Sequence, residues 1–300
     1  MRRYAGDDDF WRIRDFLRRL LLAAELHPSA WHVVRWDYWR WHGVMNCGGP
    51  PPETSVTLWE TDGGEIAAMV NAEDPANAFL QADPRHRSPE LEAEMLRVAE
   101  GLAADGRLVV WAPASDPAWT RQLRRSGYAP TDEDEHVRAM SLRDPLSAPE
   151  VAPGYRIRPL GGDEDFPARG ELSLRVFHPV PDGSVGMTAE DYRNVQRGPL
   201  YRRDLDLVAE APDGALAAFA TFWFDDVTRT VVIEPVGTDA PHRRHGLGRA
   251  LLLEGLARAR WLGATTAYVG SYGEGAHALY AGVGLETVEH LVGWRREGAG

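Results

Sequence analysis

Residues 231–260 read VVIEPVGTDAPHRRHGLGRALLLEGLARAR. An apolar strand, Val231–Val236, runs into a turn of arginines and glycines, and the turn opens directly into an amphipathic helix over Gly248–Leu262. Gly246 and Gly248 permit tight backbone geometry there, and the first turn of a helix leaves amide hydrogens unpaired at the positive end of its dipole. Such a place suits phosphate. Arg243, Arg244 and Arg249 add positive charge around it, although a basic turn of solvated side chains would look the same.

Working outward, the segment before this strand is a strand, a tight acidic-glycine turn and a second strand, LVAEAPDGALAAFA (Leu207–Ala220). The first half of the chain holds a counterpart, LWETDGGEIAAMV (Leu58–Val70). It is followed in the same order by a strand (Ala78–Ala82), a proline-arginine turn (Pro84–Arg87), a helix (Leu91–Ala104) stopped by Gly106, a strand (Leu108–Ala112) and a helix closing on a glycine (Ala118–Gly127). In the second half the matching pieces are Pro241–Arg244, the helix stopped by Gly263, the strand Thr265–Val269 and the helix Gly275–Gly284. Pro84 and Pro241, Gly106 and Gly263, and Gly127 and Gly284 each stand 157 residues apart, so no gap separates the landmarks. Between the halves, Asp144, Pro145, Ser147, Pro149 and Pro153 form a linker signature. The reading is a duplicated α+β unit, residues 1–145 and 154–300 joined by 146–153, each half a mostly antiparallel mixed sheet with flanking helices.

The chain has 300 residues, 44% of them apolar, with a formal net charge of −12 and no lysine. It can build real cores, but a lysine Schiff base and a P-loop lysine are excluded. The single Cys47 allows no intramolecular disulfide, structural zinc site or iron–sulfur cluster, and no metal is expected. The apolar patch at Leu20–Ala24 is too short for a signal-peptide core or a spanning helix, so a cytoplasmic protein without a membrane partner is expected. Excess acid and scattered arginines argue against nucleic acid.

The pattern Arg243-x-x-Gly246-x-Gly248 after an apolar strand resembles the coenzyme A loop of the GCN5-related N-acetyltransferase (GNAT) superfamily. Ala276, Leu279, Tyr280 and Gly284 reproduce that family's Ala-x-x-Leu-Tyr-x-x-x-Gly helix, at the right order and distance. The resemblance covers residues 154–300 and implies a splayed β4/β5 pair, here Val231–Val236 and Thr265–Val269, with acetyl-CoA as the cofactor lying in the slot. It implies that backbone groups of Pro235, Val236 and Gly237 pair with the pantetheine arm. The loop Arg243, Arg244, His245, Gly246, Leu247, Gly248 and Arg249 would hold the pyrophosphate. The reaction implied is direct attack of a primary amine on a thioester, which needs a base for the amine and a proton for the departing thiolate.

Tyr280, which also borders the cofactor, is the expected acid and Glu234 the expected base. Pro235 next to Glu234 suggests a bulge that aims its carboxylate at the slot. His277 is an alternative base one turn before Tyr280. The family's usual asparagine ahead of this helix is Gly273 here, with Ser271 or Tyr272 as substitutes.

Carried to the first half by the 157-residue offset, Gly246 falls on Pro89, Gly248 on Leu91 and Tyr280 on Leu123, while Glu90, Glu92 and Glu94 crowd the turn. That half is expected to be a degenerate copy that binds no coenzyme A, as in tandem members of the superfamily. It also carries the aromatic run WHVVRWDYWRWH (Trp31–His42), read either as a cleft or cation-binding surface or as filler between domains. Asp225 and Asp226 could favour a cationic acceptor or merely begin a hairpin. The expected partner is a small-molecule or peptide amine, and the assembly a monomer or homodimer. A catalytically silent acyl-CoA-binding module and a dinucleotide oxidoreductase are the alternatives, the latter disfavoured because its glycine fingerprint belongs after the first strand of a βαβ unit.

Overall fold

A computed structural model describes residues 1–102, 108–178 and 186–296; the helix stop expected at Gly106 lies outside them. The strands are β1 (Arg2–Arg3), β2 (Val56–Glu60), β3 (Ile66–Ala72), β4 (Asn77–Ala82), β5 (Val109–Pro113), β6 (Tyr128–Ser141), β7 (Arg156–Pro159), β8 (Asp206–Glu210), β9 (Leu216–Asp225), β10 (Thr230–Thr238), β11 (Thr266–Ser271) and β12 (Glu286–Arg296). The α-helices are α1 (Asp7–Ala23), α2 (Val33–Tyr38), the short α3 (Val44–Asn46) and α4 (Pro52–Ser55), α5 (Pro89–Glu100), α6 (Pro117–Arg125), α7 (Phe166–Phe177), α8 (Ala189–Gln196), α9 (Leu247–Trp261) and α10 (Gly273–Ala281). Among the described residues no helix is long and apolar enough to cross a membrane.

The chain divides into two compact units. Unit 1 is Met1–Val137 with Val288–Gly300, and unit 2 is Arg138–Thr287. In unit 1 the strand order is β1-β2-β3-β4-β5-β12-β6, with β4 and β5 parallel and β1–β2, β2–β3, β3–β4 and β5–β12 antiparallel. In unit 2 the order is β7-β8-β9-β10-β11, followed by the end of β6; β10 and β11 are parallel, and β7–β8, β8–β9 and β9–β10 antiparallel. The expected α+β class with a mixed, mostly antiparallel sheet and flanking helices therefore holds in both.

Both units repeat one design. The 157-residue spacing is kept by Val109 and Thr266, where β5 and β11 begin their parallel pairing, and by the left-handed Gly127 and Gly284. Each unit's sheet includes a strand from the other half of the sequence: Arg138–Ser141 joins unit 2, and Val288–Arg296 joins unit 1 between β5 and β6. Contacts thus group the chain differently from a cut through the proline-rich 146–153.

In unit 2, α9 lays Leu252, Leu256 and Ala259, at helical spacing, on a core that includes Phe222, Val231, Ile233 and Val269. In unit 1 the comparable core gathers Met95, Leu96, Val110, Trp119 and Leu123. Part of the aromatic run is core. Trp31, Trp36 and Trp39 are buried within unit 1; Trp36 stacks on Phe10 at 5.9 Å, and Trp39 Nε1 donates to the Glu73 carbonyl at 2.8 Å. Asp225 is likewise structural, since it is fully buried and accepts from Thr228 Oγ1 at 2.7 Å to close its own hairpin.

Candidate active site

Unit 2 opens where its two parallel strands part. The β10–β11 ladder covers only Thr230–Val232 against Thr266–Tyr268, yet β10 runs on to Thr238 and β11 to Ser271. Backbone groups on that side of β10 beyond Val232 are left facing the gap. The expected bulge lies at the same place, because the β9 register slips between Ile233 and Val236. Trp223 Nε1 secures it by donating to the Glu234 carbonyl at 2.7 Å. In unit 1 the pairing of β3 with β4 runs from Ala68↔Ala82 to Ala72↔Ala78 without a slip. Gly237 follows the bulge and no larger residue fits there, since a Cβ would meet Phe219 Cζ at 2.5 Å and Val176 Cγ1 at 2.7 Å.

Next comes the loop. Arg243 Nε donates back to the Thr238 carbonyl at 3.2 Å, Arg244 is left-handed at φ +68°, and Gly246 is left-handed at φ +72° as the residue that caps α9. No side chain caps this helix, and its first internal bond runs from the Ala250 amide to the Gly246 carbonyl. The amides of Leu247, Gly248 and Arg249 therefore stand at the positive end of the dipole without intrahelical partners. His245, Gly246 and Arg249 line a cavity of about 320 Å3 with Glu150–Pro153. Arg243, Arg244, His245 and Arg249 are all exposed, whereas Leu247 is anchored in the core.

Unit 1 closes the same corner with its own side chains. Ser88, one residue before Pro89, caps α5 and accepts from the Leu91 amide at 3.2 Å. The cap residue there is thus Ser88, not the Pro89 that a fixed offset from Gly246 indicates. Arg87 beside it is committed to Glu92 and Asp116. Leu123, the counterpart of Tyr280, is fully buried in apolar core.

Tyr280 lies on α10 and is buried. Burial, and after it the charge of Glu234, push its hydroxyl well above the ordinary phenol range, which keeps it protonated. The charge of Glu234 on β10 is thus felt at Tyr280 on α10. His277 is held differently: its Nδ1 lies 3.2 Å from Arg138 Nη2 and 3.1 Å from Ser271 Oγ. A guanidinium can only donate, so Nδ1 is an acceptor, and His277 links α10 to Arg138 and Ser271. Arg138, buried, also donates to Ser271 Oγ at 3.0 Å and to the Leu285 carbonyl at 3.1 Å. Sequence reasoning did not find Arg138, because its partners lie at least 133 residues away. Ser271 is thus engaged, and Gly273 opens α10 at φ +74°.

Residues 180–285 match the family model described as the acetyltransferase (GNAT) family. The chain is 30% identical over 266 residues to the mycothiol acetyltransferase of Thermobispora bispora, covering 84% of this chain and 87% of that one. It is 31% identical over 209 residues to the mycothiol acetyltransferase of Kineococcus radiotolerans, covering 69% and 67%. Among solved structures, a GCN5-related N-acetyltransferase from Sphaerobacter thermophilus superposes with a TM-score of 0.69 at 22% identity, covering 98% of this chain and 94% of that one. A tandem GNAT protein from the clavulanic acid biosynthesis pathway does so with a TM-score of 0.66 at 21% identity, covering 98% and 96%.

Proposed function

Because this chain belongs to the GNAT superfamily, in its tandem form, and is an N-acetyltransferase, we propose that unit 2 moves the acetyl group of acetyl-CoA onto the primary amine of a small molecule by direct attack. The observation that carries this reading is the gap where β10 and β11 part, followed in the chain by an uncapped helix end, together with a buried, protonated Tyr280 that feels the charge of Glu234.

Acetyl-CoA fits the residues present: its pyrophosphate suits the Leu247, Gly248 and Arg249 amides with Arg243, Arg244 and His245 around them. Its pantetheine amides suit the unpaired edge of Pro235, Val236 and Gly237, where Pro235 offers only a carbonyl. When bound, it supplies an acyl carbon activated as a thioester. Glu234 takes the proton that the acceptor amine must lose, directly or through a water, and Tyr280 gives a proton to the departing sulfur. The tilt of Tyr280 toward its neutral form suits a donor, and Glu234 sits on a backbone bulge fixed by Trp223, which limits its wandering.

The division of labour follows the contrast at the two helix ends. Residues 154–300 carry the cofactor machinery, and residues 1–145 are a degenerate copy whose own Ser88, Glu92 and Asp116 occupy the corresponding corner. A cytoplasmic location fits this chemistry. The relatives' name makes the deacetylated amine corresponding to mycothiol the first acceptor to try. The test is to incubate the full chain with acetyl-CoA and a panel of primary amines including that one, following free thiol. Acetyl-CoA-dependent thiol release with at least one amine is expected; coenzyme A binding without release across the panel would overturn the catalytic reading, and no binding would overturn the cofactor site.

A further inference from the structure

Away from the transfer site, unit 1 gathers a second set of reactive side chains. Asp134 and His136 stand two residues apart on β6, so the alternation of a strand puts both on one face. His290 comes from β12, the neighbouring strand in unit 1. Asp134 Oδ2 lies 3.1 Å from His136 Nε2 and 3.5 Å from His290 Nδ1, and the two imidazole centroids are 4.2 Å apart. One potential ligand atom from each of the three lies within 4.8 Å of the others.

We propose that Asp134, His136 and His290 form a binding site for a divalent transition metal of the zinc class, with the remaining coordination position open to water. Zinc–nitrogen and zinc–oxygen bonds of about 2.0–2.2 Å at tetrahedral angles separate ligand atoms by roughly 3.3–3.5 Å. Two of the three separations here already lie close to that span. The third closes by rotating an imidazole, which half-exposed side chains at the surface are free to do. The donor set selects the ion: two ring nitrogens and one carboxylate suit zinc, nickel or copper, whereas magnesium and calcium want oxygen. This separates the cluster from an ordinary patch of surface acid. Because the ligands come from two neighbouring strands, the ion would clip β6 to β12, and binding would stabilise the folded chain by mass action.

The experiment uses the full chain, stripped with EDTA and titrated with ZnCl2 by calorimetry, with MgCl2 in parallel. One Zn2+ per chain with micromolar affinity is expected, with no heat from Mg2+. His136→Ala and His290→Ala should each weaken binding at least about tenfold, as loss of one of three ligands implies, while His86→Ala, an exposed histidine elsewhere in unit 1, leaves it unchanged. Zn2+ should raise the thermal midpoint of the wild type and not of the double variant H136A/H290A. Asp134→Asn, nearly isosteric, covers the case in which an alanine variant fails to fold, and should also lose affinity. Absence of binding below 100-micromolar Zn2+ would overturn the proposal. So would binding that survives all three substitutions, including binding abolished by His42→Ala, which would place the ion at the His42–Cys47 pair, 3.6 Å apart.

Discussion

In the proposed mechanism Tyr280 is the acid and Glu234 the base, and burial keeps the Tyr280 hydroxyl neutral. Tyr280→Phe keeps the ring and its packing and removes only the proton, so kcat should fall by about 10²–10⁴-fold with the KM for acetyl-CoA nearly unchanged; an unaltered kcat would remove Tyr280 as the acid. Its raised hydroxyl also sets a sign for pH: the donor stays protonated through the ordinary phenol value of about 10, so Tyr280 contributes no alkaline fall in kcat below that. Asp206 gives a stability test. It is buried and accepts from Thr221 Oγ1 at 2.9 Å and Tyr201 OH at 3.0 Å, and desolvation raises its pKa against the pull of Arg169. A carboxyl with a raised folded-state value loses stability as pH climbs above its unfolded value of about 3.9. Asp206→Asn should therefore gain in thermal midpoint relative to wild type between mildly acidic and neutral pH, and parallel profiles would contradict the assignment.

Helix α9 shows what a single element must satisfy at its two ends and its middle. Gly255 looks like a fault in the helix, yet a Cβ there would lie 2.1 Å from the Phe222 ring, so the glycine lets α9 press onto β9. Gly255→Ala should lower stability by about 1–3 kcal/mol through overpacking, although alanine is the better helix former. Denaturant unfolding would show it. The N-terminus invites a paired comparison. Gly246→Val strains a left-handed position with no neighbour to clash against and should weaken coenzyme A binding, whereas Ser88→Ala in unit 1 should cost about 1 kcal/mol of stability and leave transfer activity intact. Equal effects on activity would contradict the division between the two helix ends. This element was also the most legible in the sequence, because Arg243, Gly246 and Gly248 lie within six residues and the glycines speak for backbone geometry alone. Ser88 before Pro89 was a readable cap signal that a rigid 157-residue offset obscured by one position. The aromatic run was readable only as composition, since nothing local says whether Trp36 faces Phe10 or solvent.

At the scale of the molecule, the linker marks where the sequence pauses and not where either sheet ends, and that was beyond sequence reasoning because strand pairing across more than a hundred residues leaves no local trace. Unit 2 depends on residues that precede the proline-rich stretch. Arg138 ties Ser271 on β11, His277 on α10 and the Leu285 carbonyl together; the Leu142 amide donates to the Thr265 carbonyl at 2.9 Å, and Arg260 Nε donates to the Leu142 carbonyl at 2.8 Å. A fragment of residues 154–300 lacks every one of these bonds and exposes the β11 edge, a template for aggregation, whereas 138–300 retains them. The shorter fragment should be largely insoluble and bind no coenzyme A, and the longer one should keep measurable binding by calorimetry. In the full chain, Arg138→Gln should lower kcat more than it raises the KM for acetyl-CoA, because Arg138 is bonded to α10, which carries Tyr280, while the proposed phosphate site is at α9. If the two fragments behave alike, or if Arg138→Gln changes only KM, Arg138 does not position the acid, and the remaining contacts of α10, the His277–Ser271 bond among them, suffice to hold it.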